Sequence, residues 1–143
     1  MTTRTYDADQ VSVLVGAILI DAGFADGEFV RIEQEADDFT DSVGTDGEVT
    51  RSKTKDGRAT VTILLGQSSQ SNQALSALSN LDRAAPNGAG IVPLMIRDRG
   101  GQSLYTATEC WISKPPDVSF DREPTTREWT LRVADLIRND GGN

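Results

Sequence analysis

Apolar residues recur at every second position in several short runs of this chain, and at every third or fourth position in only one. Residues 11–20, VSVLVGAILI, are apolar nearly throughout and predict a buried strand. DAGFADG at 21–27 holds two glycines and an Asp-Gly pair, so a turn follows. Residues 28–36 alternate, with Val30 and Ile32 facing one way and Arg31, Glu33 and Glu35 the other. That is the signature of a half-buried strand with one acidic face. Residues 58–66 repeat it, setting Val61, Ile63 and Leu65 against Thr60 and Thr62. Between these two strands lies a polar stretch, GTDGEVTRSKTKDG at 44–57. It predicts a long structureless tip to the hairpin, which few compact domains carry without a use for it.

The period changes once. Leu75, Leu78 and Leu81, with Ala74 and Ala77 beside them, predict a helix over 71–81 whose leucine stripe packs on a sheet. Ser69 or Ser71 is placed to cap it, and Pro86 with Gly88 stops it. Two more strands follow, IVPLMIRD and SLYTATECWIS, joined by a turn at Gly100 and Gly101. Pro93 marks the first of them as an edge or as an irregular start. Residues 114–126 contain three prolines and form a stiff connection. The last strand sets Trp129, Leu131 and Val133 against Glu128, Thr130 and Arg132. The pattern leaves residues 1–9 as a mobile arm and 138–143 as a frayed tail. The expectation is a single, mainly β domain: about six strands in a sandwich or barrel, with one flanking helix.

Charge and chemistry then narrow the function. A net charge of −8, with Lys and Arg scattered singly, argues against a nucleic-acid binder. The chain has no His, which removes the commonest general base and metal ligand. Cys110, the one cysteine, sits beside Glu109 in a strand and reads as a small buried hydrophobe. Lys53 and Lys55 lie in the polar stretch and read as solvated. A carboxylate pair for glycoside cleavage needs an aromatic-lined cleft, and aromatics are few. Asp46-Gly47 and Asp56-Gly57 read as turns, because neither completes a calcium loop. GGQS lacks the Lys-Ser/Thr of a phosphate loop. The expectation is therefore no enzyme, no cofactor and no metal. Residues 11–20 are about half the length that spans a bilayer, so no membrane segment is expected either. What remains is the polar stretch with its flanks, where Asp41, Asp46, Glu48 and Asp56 are set among Arg51, Lys53, Lys55 and Arg58. A solvated loop and a docking element both fit it.

Several stretches in order resemble one family. They are GFADGEFV, GTDGEVTRSKTKDGRATVTILL, SNQALSAL, GAGIVPLMIRDRGG, ECWISKPPDVSFDRE and REWTL. Together they are similar to the tail tube proteins of contractile-tailed, myovirus-type bacteriophages, over roughly residues 8–135. The resemblance implies a structural role in the virion, with assembly in the host cytoplasm. It implies hexameric rings whose inner strands join into one continuous barrel, stacked helically into a hollow tube. It also implies tail sheath, tape-measure, baseplate and tail terminator proteins as partners, and DNA passing through the lumen without specific binding. In that picture residues 39–57 form an inter-ring loop, mobile in the free subunit, that carries the charged residues named above. Arg31, Glu33, Glu35, Thr60 and Thr62 then face the lumen, and Val30, Ile32, Val61, Ile63, Leu75, Leu78, Trp129 and Leu131 face the core. The fold also resembles the tube protein of type VI secretion. A small β-sandwich binding module is the reading from a different class, and it would need an aromatic-lined groove.

Overall fold

Gly16 breaks the first apolar run in two. Its φ of 61° is in the left-handed region, so the chain reverses there and the predicted single strand becomes a tight hairpin. The computed structural model describes residues 3–142; Met1, Thr2 and Asn143, the outer ends of the predicted arm and tail, lie outside it. In chain order the strands are β1 (Val11–Val15), β2 (Ile18–Ile20), β3 (Val30–Gln34), β4 (Phe39–Val43), β5 (Val49–Lys53) and β6 (Ala59–Gly66). Helix α1 (Ser71–Ala84) follows, then β7 (Val92–Asp98), β8 (Leu104–Lys114), β9 (Thr126–Val133) and β10 (Ile137–Asn139). The fold class is as expected, mainly β with a single α-helix among the described residues. The strand count is ten rather than six. The extra strands come from the break at Gly16, from the polar stretch and from the tail.

Neither end is wholly loose. Residues Ala8–Gln10 form a 3-10 turn, capped by Asp7, whose side chain accepts from the Asp9 N–H. The predicted frayed tail pairs instead, β10 against β8 from Ile137↔Thr106 to Asn139↔Leu104. Arg138 donates to Asp140 at 3.0 and 3.2 Å, and Tyr105 also donates to that carboxylate, which tethers the tail.

Eight strands make one antiparallel sheet in the order β2-β1-β7-β8-β9-β6-β3, with β10 on β8. The long strand β8 belongs to two halves. Its first part pairs with β7 and β10, and its last part with β9. Register shifts fall at both places, between Val92 and Leu94 and between Ile112 and Lys114. Extra residues of this kind bend a strand and sharpen its twist. Pro93 sits at the first shift, so it marks an irregular start in an interior strand and not an edge. The bend folds the sheet over on itself. Val13, Val15, Leu94 and Ile96 of one half and Val61, Ile63, Trp129 and Leu131 of the other then share one buried cluster. Cys110 lies fully buried in it, and burial pushes its thiol up to about 11, as suits an inert core residue.

The helix closes one end of this fold. Asn72 in its first turn donates to the carbonyls of Gly66 and Ser69, at 2.9 and 3.1 Å, and accepts from the Trp129 indole at 2.9 Å. Ser69 Oγ accepts from the Ser71 N–H, while Gln70 at the cap position makes no side-chain bond. The leucine stripe is only partly core. Leu75 is buried and Leu78 half-buried, but Leu81 is 54% exposed and Ser79 is buried instead. Helical geometry explains this. A strict three-residue repeat drifts backwards around the axis, so Leu81 lies about 120° from Leu75, while Ser79 lies about 40° away.

Candidate assembly surfaces

The half-sheet β8-β9-β6-β3 presents a polar outer face. Register aligns Arg31, Thr62 and Thr130 in one row and Glu33, Thr60 and Arg132 in the next. Arg132 donates to Glu35 at 2.5 Å and to Thr60 at 2.7 Å, and Thr60 donates to Glu35, so three strands are laced together. Arg31 is held by Glu28 and Glu33. Glu128 adds a further carboxylate on the same side of β9, and Lys114, opposite Thr130, adds a cation, so the face carries both signs. Of the residues expected there, Arg31, Glu33 and Glu35 are exposed and Thr60 is half-exposed. Thr62, centred between Arg31 and Thr130, is only 8% exposed. On the opposite side, Val61, Ile63, Trp129 and Leu131 are fully or almost fully buried, as expected. Val30 and Ile32 are half-buried instead. They line a cleft of about 510 Å³ with Val11, Ile96, Tyr105 and Arg138.

The polar stretch is not structureless. Strands β4 and β5 pair from Phe39↔Lys53 to Val43↔Val49 as a separate two-stranded hairpin, and all ten of their residues are exposed. Gly47, at φ 85°, and the Asp46 carboxylate, which accepts from the Glu48 N–H, shape its tip. One face carries Phe39, Asp41, Val43, Val49, Arg51 and Lys53, with Arg51 stacked 4.0 Å from the Phe39 ring. The other carries only hydroxyls: Thr40, Ser42, Thr50 and Ser52. A lone hairpin of this size is marginal in water and lacks a core, so its exposed valines suit a contact in trans.

Residues Lys55, Asp56 and Arg58 lie past the hairpin, where the chain rejoins the body. Asp56 and Arg58 pair with each other through side-chain bonds of 2.9 and 2.8 Å. Hydrogen bonds from the Arg58 side chain and N–H hold the Asp56 carboxyl down to about 2, from an ordinary 3.8. A depressed carboxyl of this kind contributes fully above its ordinary value, and its contribution is lost as pH falls through about 2. In an NMR titration the Asp56 carboxyl carbon is expected to move near pH 2, and Arg58→Gln is expected to return the midpoint towards 3.8.

Two backbone edges lie on this half-sheet, and local sequence pattern gives no sign of them. Among the described residues strand β3 pairs only with β6, and β7 stops opposite Cys110, so β8 from Trp111 onward pairs on one side only. Such edges are templates for another strand. The family described as Bacteriophage PhiTE tail tube protein matches residues 12–139 of this chain.

The chain belongs to that tail tube family.

This tail tube protein is 32% identical to Structural protein ORF10 of Pseudomonas phage KPP10, across 99% of the chain and 84% of that relative. Its fold is similar to the tube terminating cap of the anti-feeding prophage, with a TM-score of 0.62, 12% identity, and 97% and 93% of the two chains covered. It is also similar to a chain from the sheath/tube terminator of the extracellular contractile injection system PVC, with a TM-score of 0.64, 13% identity, and 98% and 100% covered. A chain of the native gene transfer agent virion matches with a TM-score of 0.62 at 9% identity, with 95% and 100% covered. At these identities the structural likenesses establish the fold. The family establishes the role: the tail tube protein is a structural component of a phage tail and not an enzyme. Among the described residues no helix is long and apolar enough to cross a membrane, and no cluster of acids and Cys is arranged to hold a metal ion.

Proposed function

We propose that six copies of this tail tube protein close head to tail into a ring, and that rings stack into a hollow tube that conducts DNA during infection. The observation that carries this reading is the pair of one-sided edges on a single half-sheet. Strands β8, β9, β6 and β3 alternate in direction, each antiparallel to the next. A neighbour's β8 laid against β3 continues that alternation. The interface uses two different surfaces, so it repeats from copy to copy until the ring closes and neither of these two edges stays open. The outer face of this half-sheet then lines the lumen. Its cations are already paired with carboxylates in a chain of net charge −8, so the wall offers a phosphate backbone no free basic patch and lets DNA slide without binding. The hairpin β4–β5 reaches to the adjacent ring and gains there the burial it lacks in the free subunit. Contacts with tail sheath and tail terminator proteins fit the other surfaces, and relatives of the fold occur in a PVC sheath-tube complex and in tube terminators. Tape-measure and baseplate proteins are the remaining partners, and assembly takes place in the host cytoplasm.

Negative-stain electron microscopy of the purified chain across a concentration series, with and without sheared tails as seed, tests this. Hollow tubes with sixfold end views are the expected result. Monomers alone in both series would overturn the reading.

A further inference from the structure

Arg127 is 7% exposed on the core-facing side of β9, in phase with Trp129. Its guanidinium donates only to neutral acceptors: Thr125 Oγ1 at 2.6 Å and the carbonyls of Thr126 at 3.2 Å and Ser119 at 3.4 Å. The Phe120 ring stacks 5.7 Å away. None of the ion pairs among the described residues includes it. A buried cation without a counter-charge is costly, and this one sits in a chain richer in acids than in bases. Beside it opens a small cavity of about 170 Å³, lined by Pro115, Pro116, Val118, Asn72 and Trp129. It has room for one side chain. The strap over residues 115–125 leaves Val118 exposed and Phe120 82% exposed next to it.

Position suggests what fills it. The hairpin β4–β5 joins the body at the Ala59 end of β6, and Arg127 pairs with Leu65 at the other end. The six residue steps from Ala59 to Leu65 separate the two by about 20 Å. A projecting element at one pole and a recess at the opposite pole generate an open, head-to-tail stack. The chemistry of the hairpin tip is complementary. Val43 and Val49 face each other across it. Next to Val49 is the Glu48 carboxylate, while that of Asp46 is already engaged in the turn.

We propose that Arg127 and the strap beside it form the receptor for the hairpin tip of a second copy. Glu48 supplies the carboxylate that Arg127 lacks, and Val43 and Val49 cover Val118 and Phe120. The inference rests on the stacked-ring reading and adds to it where the hairpin lands.

Two measurements on the full chain test it. Arg127→Met and Glu48→Gln each remove one charge at near-constant volume. Each is expected to raise the critical concentration for tube formation roughly ten- to hundredfold, the span expected for a charged hydrogen bond. The double variant is expected to be no worse than the poorer single one, the mark of a shared contact. Separately, Val49→Cys with Val118→Cys, treated with a short bis-maleimide, is expected to give a ladder of linked subunits from tubes and none from monomers. Buried Cys110 stays out of that reaction. The cross-linking leg does not depend on how Arg127→Met folds. Wild-type-like assembly of both charge variants, with no ladder from intact tubes, overturns the receptor and leaves ring stacking standing. Failure of the unmodified chain to form tubes even when seeded overturns both.

Discussion

Replacing residues 39–53 with a short Gly-Ser link abolishes long tubes and leaves the subunit about as stable as before. The two halves of this expectation have separate causes. None of the ten residues in β4 and β5 is buried, and the core cluster contains none of them. Surface changes of that kind move stability by about 0.5 kcal/mol or less, and shortening a flexible connection offsets part of it. Assembly is expected to depend on the same residues much more strongly, because Val43, Val49 and Phe39 are apolar groups left uncovered in the subunit. The check is a thermal melt together with electron microscopy of the same preparation. A melting midpoint within a few degrees of the parent, with monomers or single rings only, is the predicted pair of results. Normal tubes would remove the hairpin from the assembly mechanism.

Trp129→Ala carries the second large effect, and it acts on folding. Trp129 is 2% exposed and packs in the cluster shared by both halves of the sheet. Removing a buried aromatic ring costs about 3–5 kcal/mol. The Asn72 oxygen also loses its indole donor, a further penalty of about 1–3 kcal/mol. Against a total stability of about 5–15 kcal/mol for a domain, that places the variant at the edge of unfolding. Urea denaturation of the subunit, followed by circular dichroism, measures it. Trp129→Phe separates the two causes, since it keeps most of the packing and loses only the hydrogen bond. A loss below about 1 kcal/mol for Trp129→Ala would mean that Trp129 does not anchor the core.

Much of the fold was legible because a strand's two faces alternate in sequence. Thr60, Val61, Thr62 and Ile63 announce which side is which before any partner is known, and β3 and β9 do the same. The same alternation placed Arg127 in phase with Trp129 and Leu131, so its burial was readable from sequence alone. A charged residue on the inner phase was the overlooked signal. The hairpin reads as a loop because one face carries only hydroxyls and the other mixes Phe39, Val43 and Val49 with charged residues. A strand without a buried side leaves little periodic trace. The tail was missed because three residues of β10 are too few to show a pattern.

The sequence by itself determined the helix and the main sheet-forming runs, the inner and outer sides of the central strands, and membership of the tail tube family. Those properties are local, or are carried by the order of short motifs along the chain. Tertiary structure alone decided which edges stay one-sided, since that depends on where β8 bends and where β7 stops. It also decided that the hairpin joins the body at the opposite end of β6 from the Arg127 recess. Pairing between strands far apart in sequence sets both features, and no local pattern encodes a distant partner.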